Sequence, residues 1–317
     1  MEKHFHEPVL VREVTEALAP RPDGTYLDGT VGGGGHAAAL LARAPGARLV
    51  GLDRDEDAVR ESRRRLETHD GKVIIVQTDY RNAGETLAGL GIRAVDGALL
   101  DLGVSSHQLD DPERGFSFQK DGPLDMRMDR RQNLTAATLV NTAPERELVS
   151  LFRKLGEERR AAVVARAIVR RRERKSFART LDLADTVSRA LGVGGRSGIH
   201  PATRVFQALR IAVNDELGAL RQGLAVFTSL LMPGGRLAVI SFHSLEDRIV
   251  KQFFREESRA EVDAPGRRRP APNPARRLRI LTRKPVGPSP SEQAANPRSR
   301  SARLRVAEKL PLFPSSP

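Results

Sequence analysis

The stretch that decides the fold is LDGTVGGGGH, residues 27–36. A short apolar run precedes it, and a helical pattern rich in alanine and leucine follows it. Glycines allow the backbone to adopt a positive φ and to approach a ligand closely, and the N-terminus of the following helix offers N–H groups. The sequence therefore predicts a strand–turn–helix unit that binds a cofactor at its turn.

Short apolar runs followed by helical patterns continue on both sides of this turn and indicate a parallel α/β sheet. The predicted strands cover residues 25–27, 48–52, 73–77, 94–100 and 235–242. Helices are predicted at residues 55–67 and 245–255, and a first helix at residues 6–18 has three apolar side chains on one face, Leu10, Val14 and Leu18. Ligands bind beyond the carboxyl ends of such strands, so the residues after each run are the candidate site.

Helical patterns replace strands in the middle of the chain. We expect an α/β domain formed by residues 1–105 and 215–317, interrupted by a helical insert at residues 106–214. The tail is rich in proline, but residues 278–284 and 302–309 have partly alternating apolar side chains. These two stretches are predicted to add an antiparallel edge to the sheet.

Positive charge is concentrated in two segments, residues 146–179 and 255–317, within a chain of net charge +13. Clustered Lys and Arg side chains favour a polyanion such as RNA, because phosphates release counterions on binding. Either segment alone is equally typical of a solvated helix face or a basic tail. Two separate segments favour the RNA interpretation, and the insert is its candidate binding domain.

The chain has no cysteine, which excludes disulfides, thiolate metal sites and any covalent cysteine mechanism. Among enzymes that methylate nucleic acids, those that act on carbon 5 of a pyrimidine normally need such a cysteine. Enzymes that methylate an exocyclic amine do not, so this class stays open. No secretion signal and no apolar run long enough to span a membrane are recognisable. We therefore expect a cytoplasmic protein without a membrane partner.

The glycine-rich turn fits two classes of enzyme. The pattern Asp28-x-x-x-Gly32-x-Gly34 resembles the first motif of Rossmann-like methyltransferases, and Gly32-x-Gly34-x-x-Ala37 also satisfies the dinucleotide fingerprint of nicotinamide oxidoreductases. The carboxylate of Asp28 disfavours a pyrophosphate and favours a cationic ligand. Asp53, at the end of the second strand, is expected to bind ribose hydroxyls in either class, unless it caps the next helix.

Acidic side chains also follow the third and fourth strands. Asp79 and Tyr80 are candidates to contact an adenine, although Tyr80 could equally pack in the core. Asp101 is expected to point into the crevice, where it could act in catalysis, hold the cofactor or organise the following loop.

Seven blocks of sequence, in this order, resemble those of the bacterial 16S rRNA (cytosine-N4)-methyltransferases of the RsmH/MraW type. They are HEPVLVREV, DGTVGGGGH, LLDLGVSSHQLDDPERGFSF, GPLDMRMD, HPATRVFQALRIAVNDEL, SFHSLEDRIVK and NPRSRSARLRVAEK, and together they span nearly the whole chain. The resemblance implies a Rossmann-like class I S-adenosylmethionine-dependent methyltransferase that methylates a cytidine in the decoding region of 16S rRNA, within the small ribosomal subunit. The cofactor contacts that it implies are Gly34, Gly35, His36, Asp53, Tyr80, Asp101 and Gln108.

An exocyclic cytosine amine is a poor nucleophile, so acceptors must hold its hydrogens and free its lone pair. Asp101, Ser105 and Ser106 are the candidates, with Asp101 the predicted catalytic residue. The Asp/Asn-Pro-Pro-aromatic motif of other amino-methyltransferases is replaced here by DLGVSS. The aromatic side chain that stacks on the flipped base is therefore sought elsewhere, in Phe116, Phe118 or Phe242, although phenylalanines more often pack in the core.

Two further patterns have a structural interpretation. His4, His6 and Glu7 lack further clustered ligands, so no metal site is predicted. Ser244 is predicted to cap the helix that follows it, with His243 facing the crevice. A protein that only binds RNA as an assembly factor remains a third hypothesis, which predicts no dependence on Gly34 or Asp101.

Overall fold

The structure is a computed structural model that describes residues 8–69, 71–192, 200–262 and 271–311. The chain forms two compact units. The first unit combines Met1–Gly103 with Gly218–Pro317, and the second is the intervening segment Val104–Leu217.

Helices and strands alternate along the first part of the chain, and helices dominate its middle. The described helices are α1 (Val11–Leu18), α2 (Gly35–Arg43), α3 (Glu56–Leu66), α4 (Ala83–Gly89), α5 (Ser106–Asp110), α6 (Ala136–Thr142), α7 (Glu145–Leu155), α8 (Ala161–Arg172), α9 (Thr180–Leu191), α10 (Thr203–Val213), α11 (Glu216–Leu230), α12 (Ser244–Glu257) and α13 (Pro290–Ala295). The described strands are β1 (Thr25–Asp28), β2 (Arg48–Asp53), β3 (Val73–Gln77), β4 (Val95–Asp101), β5 (Leu231–Ser241), β6 (Glu261–Val262), β7 (Ala271–Pro272), β8 (Leu278–Ile280) and β9 (Arg303–Lys309).

The first unit contains a seven-stranded sheet of order β3-β2-β1-β4-β5-β9-β8. The strands from β3 to β5 are parallel, β9 pairs antiparallel with β5, and β8 pairs antiparallel with β9. The chain direction across the sheet reverses between β1 and β4, which is the switch point where ligands bind in open α/β sheets. The predicted α/β class and the antiparallel edge are confirmed.

Alternating side chains of the strands fill two apolar cores, one on each face of the sheet. On β1, Tyr26 belongs to the core that includes α1, α2 and α3, whereas Leu27 belongs to the core that includes α11 and α12. Leu99 and Leu100 divide in the same way on β4. Both faces are therefore covered, which explains why the strands are continuous apolar runs in the sequence.

The ends of several elements differ from the prediction. Helix α1 begins at Val11, because Leu10 before it has a left-handed φ of 55°. Val14 and Leu18 are buried on α1 as predicted, whereas Leu10 is buried but precedes the helix. Strand β8 ends at Ile280, four residues before the predicted end, in a region where Pro285 lacks the N–H that a ladder needs.

The second unit is built around one helical core, and it confirms the predicted helical character of the middle of the chain. Its buried side chains include Phe152 of α7, Ile168 of α8 and Leu209 of α10. The amide of buried Asn214 accepts from the backbone N–H of Met128 at 2.8 Å and donates to the carbonyl of Met126 at 2.7 Å. These bonds fix the irregular segment that precedes α6 against the end of α10.

No helix among the described residues is long and apolar enough to cross a membrane.

Candidate functional site

The glycine-rich turn has the backbone conformation that its sequence predicts. Gly32 and Gly34 have φ angles of 51° and 77°, and Gly34 is the residue that precedes α2. A Cβ atom at Gly34 would lie 3.3 Å from Leu66, in addition to the strain of a positive φ. Glycine therefore lets the turn pack closely against α3 at the start of α2, where the first N–H groups of the helix have no partner within the helix.

Three hydrogen bonds hold the turn against the ends of its neighbouring strands. The N–H of Val31 donates to the carbonyl of Leu52 at 2.9 Å, and that of Gly32 donates to Asp53 Oδ2 at 3.0 Å. On the other side, the N–H of Asp101 donates to Thr30 Oγ1 at 2.6 Å. The turn, Asp53 and Asp101 are therefore brought together at the carboxyl edge of the sheet.

Burial changes the acidity of the carboxylates around this turn. It raises the pKa of Asp28 to about 7 and that of Asp53 to about 6, although backbone N–H groups oppose both shifts. Burial also raises the pKa of Asp101 well above its ordinary value, and the nearby carboxylates of Asp28 and Glu246 add to this effect. A cation placed among these groups would restore their ionised forms.

His36 lies beside Asp101 but does not neutralise it. Its Nε2 lies 2.8 Å from the carbonyl of Val9, and its Nδ1 lies 3.6 Å from Asp101 Oδ2. That second distance is too long for a hydrogen bond. Burial lowers the pKa of His36 to about 4, so the imidazole is neutral at physiological pH. The contact is therefore not an ion pair in the protein by itself.

This arrangement fits a cationic ligand. Asp28 is 3% exposed, and the side chain of Asp101 is 10% exposed. S-adenosylmethionine carries an ammonium and a sulfonium group, and its ribose needs acceptors such as Asp53. A pyrophosphate would instead add negative charge beside buried carboxylates, which is unfavourable.

Glu246 is a residue of this region that the sequence did not single out. It is buried, and its Oε2 accepts from the N–H of Phe242 at 2.8 Å and of His243 at 3.3 Å. The prediction that Ser244 caps α12 is wrong, because His243 is the N-cap and forms a capping box with Glu246. A three-residue spacing between cap and glutamate was the available signal, and it starts at His243 rather than Ser244.

The residues after β3 are engaged within the protein. Asp79 accepts from the backbone N–H of Arg81 at 2.9 Å and from its Nε at 3.1 Å. Tyr80 is buried in the core, and its ring meets Phe227 edge-on at a centroid distance of 6.3 Å. The packing interpretation of Tyr80 is thus supported, while a contact of either residue with adenine stays a prediction.

Gln108 belongs to the second unit, where it forms a local structure with Ser105. Its Oε1 accepts from the N–H of Ser105 at 3.0 Å, and Ser105 Oγ accepts from the N–H of Gln108 at 3.2 Å. This reciprocal pair is the capping box of α5, whose first residue is Ser106. The cofactor contact of Gln108 and the amine contacts of the two serines stay predictions.

The candidate stacking aromatics occupy different environments. Phe116 is buried in the core of the second unit, which favours a packing role. Phe118 packs against the rings of His200 and Phe206 at centroid distances of 4.6 and 4.8 Å. Phe242 is half-buried and follows β5 directly, at the carboxyl edge of the sheet. Among the three, Phe242 shares this edge with Asp101.

His4, His6 and Glu7, the residues weighed as a metal site, lie outside the described residues.

A model of the MraW methylase family matches residues 3–310. The chain belongs to the MraW methylase family. Curated relatives named ribosomal RNA small subunit methyltransferase H are similar over nearly their full length. Those of Carboxydothermus hydrogenoformans and Symbiobacterium thermophilum are 50% and 51% identical, with 96% of this chain covered in both and 98% and 96% of the relatives. The relative from Syntrophotalea carbinolica is 52% identical, over 96% of this chain and 98% of its own length.

Among solved structures, an rRNA methylase from Streptococcus thermophilus is similar with a TM-score of 0.43 and 11% identity, over 98% of this chain and 99% of that one. The strand order and the family match, rather than this likeness, establish the fold and the enzyme class. Members of the MraW family are methylases, so the nicotinamide oxidoreductase interpretation of the turn is wrong.

Proposed function

We propose that this MraW family member transfers the methyl group of S-adenosylmethionine to the N4 amine of a cytidine in the decoding region of 16S rRNA. The names of its curated relatives support the small-subunit rRNA as substrate. Within the structure, the observation that carries the proposal is the group of carboxylates, Asp28, Asp53 and Asp101, at the glycine-rich turn. Burial disfavours their ionised forms, and a cationic ligand such as S-adenosylmethionine would stabilise them.

The donor would lie against the turn, beside Gly34 and Gly35 at the start of α2, and the two glycines let the turn pack closely on Leu66 and Pro8. Asp53 accepts from the ribose hydroxyls, and Asp28 and Asp101 attract the positive charge of the ammonium and sulfonium groups. The remaining contacts come from the family resemblance and are assigned to His36, Tyr80 and Gln108.

Catalysis consists chiefly of positioning. Bound S-adenosylmethionine supplies an electrophilic methyl group, and the electrons of the breaking carbon–sulfur bond stay on sulfur. Asp101 accepts a hydrogen bond from the cytosine amine, which directs the nitrogen lone pair toward the methyl carbon and stabilises the charge that develops on N4. One amine proton then passes to the Asp101 carboxylate and from there to water, which leaves the neutral N4-methylated base.

The helical insert, residues 106–214, is the proposed RNA-binding domain, together with the basic C-terminal region. Exposed arginines occur along α8 and after it, among them Arg166, Arg170 and Arg174. These side chains suit the phosphates of structured RNA. The substrate is the rRNA within the small ribosomal subunit, and the protein acts in the cytoplasm.

A methyl-transfer assay tests the proposal. Small subunits and free 16S rRNA are incubated with tritiated S-adenosylmethionine, and the nucleosides of the product are separated. Label in N4-methylcytidine is the expected result, with small subunits the better substrate. If folded protein at saturating donor concentration gives no label, the methyltransferase hypothesis is contradicted and the assembly-factor hypothesis is favoured.

A further inference from the structure

The first unit contains a second large concave surface, away from the glycine-rich turn. It is a cleft of about 610 Å³ between α12 and the edge strand β8. Its lining residues are Lys251, Phe254, Arg255, Ser258, Arg276, Arg279, Ile280, Thr282, Arg283 and Arg305. We call this surface the α12–β8 cleft.

The lining of the α12–β8 cleft contains several cations and no acidic side chain. Two of its arginines are compensated from outside the cleft: Arg305 Nε lies 2.7 Å from Asp247 Oδ1, and Arg279 Nη2 lies 2.6 Å from Glu308 Oε1. Lys251, Arg255 and Arg283 are exposed and form no ion pair with any residue that the structure describes. The cleft therefore carries a local excess of positive charge.

A buried donor strengthens this conclusion. Arg276 lines the cleft and is only partly exposed, and its Nε atom is buried with no hydrogen-bond partner among the described residues. A buried N–H without an acceptor is costly, and an anionic oxygen is the acceptor that suits a guanidinium best. Among the described residues, the cleft thus offers no acceptor to the Nε–H of Arg276.

The basic surface continues beyond the cleft. A neighbouring depression of about 460 Å³ shares Lys251 and Arg255 with it. It adds Arg248 from the first half of α12 and Arg259 just after the helix, so that four cations line it beside one carboxylate, Glu256. Two depressions that share cations form a track rather than a pocket for one small anion. Such a track suits a chain of phosphates.

The position of the cleft separates it from methyl transfer. Strand β8 is three neighbours away from β4, which ends at Asp101. With a strand spacing of about 4.8 Å, the two strands are about 14 Å apart in the sheet. The apolar lining is also unsuited to base stacking, because Phe254 is 1% exposed. The cleft is therefore suited to the backbone of RNA and not to the target base.

We propose that the α12–β8 cleft binds the sugar–phosphate backbone of the rRNA at nucleotides that flank the methylated cytidine. This inference rests on the proposed function and adds to it the location of a sequence-independent contact. Phosphate contacts of this kind fix the position of the RNA, whereas the turn binds the donor and Asp101 acts on the base.

The test replaces three exposed cations of the cleft together, as Lys251→Gln, Arg255→Gln and Arg283→Gln. Binding of a 16S rRNA transcript is measured at several salt concentrations, alongside methylation of small subunits. We expect the transcript to bind about tenfold more weakly at 50 mM salt, and the slope of log affinity against log salt to fall by about 2 to 3. The KM for the small subunit rises by a similar factor, whereas kcat changes less than about twofold.

The matched control carries Arg43→Gln, Arg65→Gln and Arg93→Gln, three exposed cations elsewhere in the same unit. It removes the same charge and is expected to bind RNA within about twofold of the original protein. Calorimetric binding of S-adenosylmethionine should be unchanged in both triple variants, which shows that the fold and the donor site are intact.

Equal losses of RNA affinity in the cleft variant and the control variant would overturn the proposal, since total charge alone would then explain RNA binding. Unchanged RNA affinity in the cleft variant would overturn the proposal too. Vesicles of phosphatidylglycerol are tested as a second polyanion, and a cleft variant that loses binding to the vesicles but not to RNA would also overturn it. In each case the original protein still methylates small subunits. Failure of the original protein to methylate them contradicts the proposed function instead.

Discussion

Among single residues, Asp28 shows most clearly how the fold prepares a binding site at a cost in stability. Its side chain is almost completely buried at the end of β1, and its carboxylate accepts from the N–H of Thr30 at 3.1 Å. The hydrogen bonds from Thr30 do not compensate for the loss of water, and the nearby carboxylate of Asp53 adds to the effect, so the pKa of Asp28 rises. A residue selected only for stability would not be ionisable at this position.

The first prediction concerns the stability of Asp28→Asn. The pKa of Asp28 is about 7 in the folded protein and has an ordinary value of 3.8, so the folded state binds more protons between these values. The stabilising effect of the protonated form is complete below pH 4 and is lost as the pH rises through 7. Because asparagine does not ionise, the variant should melt about 3 °C or more above the original protein at pH 8, with a smaller difference at pH 5. Equal differences at both pH values would contradict the assigned pKa.

The second prediction concerns donor binding. If ionised Asp28 attracts the cationic donor, only the ionised fraction of the protein binds well, and that fraction is about one tenth at pH 6. The Kd of S-adenosylmethionine should therefore be about tenfold higher at pH 6 than at pH 8, as measured by calorimetry. His36, with a pKa of about 4, stays neutral over this range and does not contribute.

Asp28→Asn is the control for this experiment. It should bind the donor more weakly at pH 8 and show a much flatter dependence on pH. A variant that kept the full pH dependence would show that another group is responsible, Asp53 and Asp101 being the next candidates.

The third prediction concerns Asp101, whose backbone N–H donates to Thr30 Oγ1 and whose carboxylate is the proposed acceptor for the cytosine amine. Asp101→Asn keeps the shape of the side chain but removes its charge. We expect kcat for methyl transfer to fall by about 100-fold or more, because charge stabilisation at a reacting nitrogen is lost. A fall confined to donor affinity, with kcat unchanged at saturation, would make Asp101 a cofactor residue only.

At the level of elements, the start of α2 depends on a backbone that only glycine adopts easily. Gly34→Ala adds a Cβ at a φ of 77° and within 3.3 Å of Leu66. We expect it to destabilise the protein by about 1 kcal/mol or more and to weaken donor binding. Gly89→Ala is the matched control, since a Cβ at the end of α4 meets nothing within 4 Å. Similar effects of both substitutions on donor binding would argue against a special turn.

The strands that surround the turn could be predicted because they are buried on both faces and therefore form local apolar runs. Helix ends were less predictable. The cap of α12 is His243 rather than Ser244. The sequence has an acidic residue three positions after each of them, so the spacing alone does not decide between the two. The packing of Tyr80 against Phe227 depends on two residues that lie far apart in sequence, so no local pattern indicated it.

The pKa values of the site also depend on residues that lie far apart in sequence. The acidic residues after the strands could be identified by position alone, and Asp28, Asp53 and Asp101 were found in this way. Their raised pKa values arise from burial and from each other, which only the folded chain creates. Glu246 was missed because it lies in the sequence about 145 residues from Asp101, whose pKa it raises.

For the whole molecule, the separation of charge between acidic site and basic segments predicts a strong effect of salt on RNA binding but not on donor binding. In the insert, Arg159, Arg170 and Arg174 are exposed. Their joint replacement by glutamine should lower the salt dependence of RNA binding by about 2 to 3 in the log–log slope. Calorimetry should find the donor affinity unchanged. An unaltered slope would show that the insert does not bind phosphates.

The two edge strands of the sheet, β8 and β3, differ in how readily they could pair with a strand of another molecule. On one side, β8 has three residues and carries Arg279, so it is too short and too cationic to recruit a strand from another molecule. On the other side, β3 has five residues, and its Ile74 is 41% exposed. Self-association by edge-to-edge pairing would therefore start at β3. The substitution Ile74→Lys is expected to prevent this pairing in a concentrated solution.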